Sequence, residues 1–94
     1  MTVREEETFR QAIELCGKDH QLKMCLEEMA ELQKEICKMW RNQGSVEAVA
    51  EETADVLVTL NQLMMIYDIR DKVESNYAFK VSRLSEKLKE GNYE

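Results

Sequence analysis

The chain has 94 residues, 44% of them hydrophobic and 34% charged, with a net charge of −6. That length suits one domain, and the balance excludes a disordered chain. The acidic excess and the lack of a basic cluster argue against a nucleic-acid polymer as partner, and the longest apolar run, residues 63–67, is too short to span a bilayer.

No proline occurs, and glycine stands only at 17, 44 and 91, in a sequence rich in Glu, Lys, Leu, Met and Ala. Such a composition favours helices. Phe9, Ala12, Ile13 and Cys16 predict a first helix over about 3–16, with Gly17 as its C-cap. Asp19 is placed to N-cap a second helix, running to about Arg41. Its apolar stripe is Leu22, Cys25, Leu26, Met29, Leu32, Ile36 and Met39.

Asn42-Gln43-Gly44 breaks that helix, and Ser45 caps a third over about 46–69, with Glu47 in its first turn. Val49, Thr53, Val56, Leu60 and Leu63 form one stripe of this helix. Ala50, Ala54, Leu57, Met64 and Met65 widen it, which predicts burial on more than one side. Asn61 and Gln62 interrupt the apolar stretch and suit hydrogen bonding between helices. Asp71-Lys72-Val73-Glu74 has the form of a capping box for a fourth helix. That helix turns Val73, Tyr77, Val81, Leu84 and Leu88 inward and ends near Gly91, leaving a short tail at 92–94.

Short connections between long helices favour antiparallel neighbours. The expectation is one all-α domain over residues 1–94, a four-helix antiparallel bundle whose wide third-helix surface is completed by a second copy. Cys16, Cys25 and Cys37 lack CxxC spacing and are odd in number, so they read as reduced thiols and small core hydrophobes. The N-terminal stretch is polar and acidic, unlike a secretory signal. Both features point to a cytoplasmic protein. Met24, Met29, Met39, Met64 and Met65 read as core filler.

Chemistry concentrates in two acidic clusters. Glu28 and Glu31 are three apart on the second helix, with Glu27 beside them, and Glu52 and Asp55 are three apart on the third. Each pair shares a helical face. Glu31 and Asp55 lie equally far from residue 43, the centre of the turn, about 18 Å at ~1.5 Å per residue. Antiparallel packing then brings four carboxylates to one level. Their mutual repulsion is relieved by a hard divalent cation, for which oxygen ligands suit Mg²⁺. No His or Cys lies near, which disfavours zinc and a di-iron bundle. Glu27, Glu28 and Glu31 alone are also the pattern of a solvated face, whereas Glu52 and Asp55 interrupt the most apolar helix.

Glu27-Glu28-x-x-Glu31 followed by Glu52-x-x-Asp55 resembles the EExxE and ExxD pair of the MazG-like all-α nucleoside triphosphate pyrophosphohydrolases. The settings Leu26–Leu32 and Glu51–Val58 are similar too, as is Lys80-Val81-Ser82-Arg83-Leu84, so the resemblance covers about residues 19–88. It implies a bundle of that type and hydrolysis of a nucleoside or deoxynucleoside triphosphate to the monophosphate and pyrophosphate. It implies Mg²⁺, replaceable by Mn²⁺, on Glu28, Glu31, Glu52 and Asp55. Glu27 would bind a further metal or orient the attacking water, so that Glu27, Glu28 and Glu31 form the catalytic set. Asn76, Lys80 and Arg83 share one face of the fourth helix and would reach the triphosphate oxygens, or else are ordinary surface polar groups. Trp40 would stack on the base, or else anchor a core or subunit interface. His20 would hydrogen-bond base or sugar, or else is incidental. Expected partners are the nucleotide and further copies, as homodimer or tetramer, with no membrane. The competing reading is a non-catalytic helical interaction or nucleotide-binding regulatory module.

Overall fold

The computed structural model describes residues 1–91; the short tail expected at 92–94 lies outside the described residues. Four α-helices and no strand are found among them: α1 (Val3–Cys16), α2 (Lys18–Trp40), α3 (Val46–Tyr67) and α4 (Arg70–Lys89). The fold class is all-α. No described helix is long and apolar enough to cross a membrane.

Local chemistry accounts for the ends. Thr2 and Glu5 close a capping box on α1, with Glu5 N–H donating to Thr2 Oγ1 (3.1 Å) and Thr2 N–H to Glu5 Oε2 (2.7 Å). Gly17, at φ 94°, ends α1 and directly begins α2. Asp19 therefore lies inside the first turn of α2 and is not its N-cap. There it favours the positive end of the helix dipole. Ser45 caps α3 as expected, accepting from Ala48 N–H (3.1 Å). Asp68, in the left-handed region at φ 52°, ends α3 two residues earlier than the periodicity implied. The box expected at 71–74 is absent: α4 starts at Arg70, after Ile69, with no side-chain cap.

Packing centres on the antiparallel α2–α3 hairpin, against which α1 lies, touching both helices. Gln21, Cys25, Glu28, Leu32 and Glu35 form the inner row of α2, and Val49, Glu52, Val56, Thr59 and Leu63 that of α3; each is buried or half-buried. Their alternating three- and four-residue spacing suits two helices packed along their length. Phe9, Cys25 and Val56 are the buried hydrophobic side chains. Across the seam, the Gln21 amide donates to Gln62 Oε1 (2.6 Å).

Helix α4 touches α3 alone, tied near its start by Arg70 donating to Asn61 Oδ1 (2.7 Å). Val73, Tyr77, Val81, Leu84 and Leu88, expected inward, are exposed in the single chain, because neither α1 nor α2 reaches α4. Of the cysteines, only Cys25 is core; Cys16 and Cys37 are exposed, and all three are free. Met39 is exposed as well, where the other four methionines of its group are half-buried.

Candidate metal centre

Glu28 and Glu52 sit in the α2–α3 seam, so the geometry that buries Cys25 and Val56 also turns these two carboxylates toward each other. Asp55, one turn beyond Glu52 and exposed, reaches the same point. Glu28, Glu52 and Asp55 each offer a carboxylate oxygen within 4.8 Å of the other two. A cation equidistant from three oxygens spread that far apart lies at most about 2.8 Å from each, so a small inward adjustment brings it to oxygen–metal distances of about 2.0–2.6 Å.

The electrostatics are those of crowded acids. Partial burial holds the Glu28 carboxyl above the usual carboxylate range, reinforced by the Asp55 charge and by Glu52. Glu52 Oε2 is buried and has no hydrogen-bond partner among the described residues. A buried acceptor left without a donor costs about 1–3 kcal/mol. A proton on Glu28 or a cation among the three relieves that cost. No lysine, arginine or histidine lies between Arg41 and Arg70, so α3 supplies no cation of its own. The donor set is oxygen only, which is the chemistry of a site for a hard cation.

Glu31 is exposed and lies outside this trio, as does Glu27. The hairpin arithmetic put Glu31 level with Asp55, but Glu28 occupies that level. The pairing of Gln21 with Gln62 agrees: the α2 partner of an α3 residue comes about one turn earlier than symmetry about residue 43 implies.

The other candidate residues do not converge on the trio. Asn76, Lys80 and Arg83 are exposed on α4, which makes no contact with α2. Trp40 is 86% exposed at the end of α2. His20 is exposed near its start, where Nδ1–H donates to Gln21 Oε1 (2.8 Å) and steadies the Gln21–Gln62 pair. Twenty helical residues separate His20 from Trp40, about 30 Å at ~1.5 Å per residue. One nucleotide on one chain cannot touch both. A feature that periodicity could not separate from core packing is an apolar cleft of about 160 Å³ between Leu22, Cys25, Leu26 and Met29 of α2 and Leu63 and Tyr67 of α3.

No protein-family model, characterised protein or solved structure matches the chain.

Proposed function

We propose that the chain is a Mg²⁺-dependent nucleoside triphosphate pyrophosphohydrolase, working in nucleotide-pool housekeeping as a dimer or larger homo-oligomer in the cytoplasm. The convergence of Glu28, Glu52 and Asp55 around the orphaned Glu52 oxygen carries this reading. These residues would hold the ion, and Glu31, one turn from Glu28, would complete the set by rotating inward. Once bound, Mg²⁺ would supply charge neutralisation on the polyphosphate and a more acidic water. Glu27, on the exposed side of α2, would orient that water or hold a second ion. The apolar cleft lined by Leu26, Met29 and Tyr67 offers a flat base a surface on the same hairpin. The three free thiols support a reducing setting.

A panel of canonical and modified NTPs and dNTPs, incubated with Mg²⁺ or Mn²⁺, tests the proposal. The expected result is monophosphate and pyrophosphate, abolished by EDTA. Asp55→Asn should lower turnover by at least the 10–100-fold that loss of an outer-shell metal partner costs, with circular dichroism unchanged. Unaltered turnover in that variant would remove the metal role. A second reading, a non-catalytic helical interaction module, draws support from the exposed apolar row of α4; absence of turnover across the whole panel would favour it.

A further inference from the structure

The exposed row of α4 is a patterned face. Tyr77, Val81, Leu84 and Leu88 follow four-three-four spacing, the seam pattern of paired helices, and are 70%, 51%, 54% and 54% exposed. Each has a basic or polar residue just before it: Asn76, Lys80, Arg83 and Lys87. None of those three cations is in an ion pair among the described residues. On the outer side of α3, Ala50, Ala54, Leu57 and Val58 are exposed with Glu47 and Glu51 on the same face. The alanines allow close approach, and the glutamates lack a cation within their own helix.

We propose that this α4 face docks on the outer face of α3 in a second copy of the chain, basic row against Glu47 and Glu51. Two observations select that occupant. The first is charge: the helix without a single cation is matched to the most basic helix of the chain. The second is area. The chain exposes 7580 Å², against about 5,600 Å² for a compact monomer of its mass. Its radius of gyration is 16.3 Å, against about 12 Å for a compact chain of this length. Reciprocal docking of two chains that covered this excess would bury about 4,000 Å² in total, inside the range of obligate homodimers. The proposal names the interface behind the self-association proposed above and is independent of the hydrolytic reading. It also brings Lys80 and Arg83 to the helix that carries Glu52 and Asp55, which α4 of the same chain leaves unpaired.

Light scattering on the full chain at micromolar concentration, without nucleotide or metal, provides the test. The expected mass is twice 11.0 kDa. Lys80→Glu with Lys87→Glu should weaken the dimer by about ten-fold in Kd, Glu47→Lys with Glu51→Lys likewise, and the combined four-residue swap should restore it. Leu84→Glu should also dissociate the dimer while α1–α3 keep their helical signal, since Leu84 is exposed within its own chain. A monomeric wild type, a dimer indifferent to the α4 variants, or a swap that fails to restore would each overturn the proposal. So would a monomer that binds anionic vesicles through α4. Since no turnover is measured, failure here is distinct from failure of the hydrolase reading.

Discussion

Glu28 shows how a single side chain links burial, charge and ligand demand. Its folded-state pKa is raised, so the folded chain holds a proton that the unfolded chain has released. Its contribution to ion-free stability is then full below the ordinary glutamate range and is lost as pH rises through the raised value, whereas Glu5, lowered by its hydrogen bonds with Thr2, contributes in the opposite sense. Thermal melts in EDTA from pH 4 upward, compared between the native chain and Glu28→Gln, isolate this contribution, and an unchanged pH slope in the variant would refute the assignment. Glu52→Gln removes one charge from the cluster. It should raise the ion-free melting temperature while abolishing stabilisation by Mg²⁺, the exchange of stability for function expected at a strained site. Gly44 carries a different constraint. A Cβ there would lie 2.9 Å from the Met39 backbone nitrogen and 3.1 Å from Lys38 Cβ. Gly44→Ala should cost roughly 1–3 kcal/mol through that overpacking, read as a drop of ~4–8 °C per kcal/mol in a domain of this size.

At the scale of elements, the α2–α3 seam is unusually polar. Gln21 and Gln62 are both buried and joined by one hydrogen bond, Gln21 donating, while His20 donates to the Gln21 oxygen and the Gln62 NH2 donates to the Val58 carbonyl. Gln21→Ala strands the Gln62 side-chain oxygen and should cost about 1–3 kcal/mol, whereas replacing both by methionine should be nearly neutral; urea unfolding of the two variants separates these outcomes. The pair sets register, because sliding α2 by one turn would separate the two amides and move Glu28 away from Asp55. Helix identities and the Ser45 cap were legible from spacing and capping chemistry. The starts at Lys18 and Arg70 were not, since no side chain caps them: one follows a glycine, the other the tight turn after Asp68. Thr2 and Glu5 stand three apart and form a box readable in principle. Inward and outward faces of α4 were not separable, because an amphipathic stripe reads alike whether its cover is the same chain or another.

At the scale of the whole molecule, two deficits remain among the described residues: a cluster of acids without a counter-charge and a helix without a cover. Mg²⁺ at one hundred times its Kd should add about 2.7 kcal/mol to stability, raising the melting temperature by about 10 °C or more. Ca²⁺ serves as a comparison of ion size, and no response to either would argue against the centre. A dimer closed by α4 should also melt at a temperature that rises with protein concentration.

Residue order was enough to specify four helices, most of their limits, the pairing of α2 with α3 and two acidic turns, because each follows from periodicity and nearest-neighbour chemistry along one chain. Which carboxylates meet was settled only by tertiary packing. The register of the seam depends on side chains interlocking between helices: it aligned Glu28, and left Glu31 outside, with Glu52 and Asp55. The outward course of α4 was likewise a matter of packing, since its apolar row carries no mark of the surface it will meet.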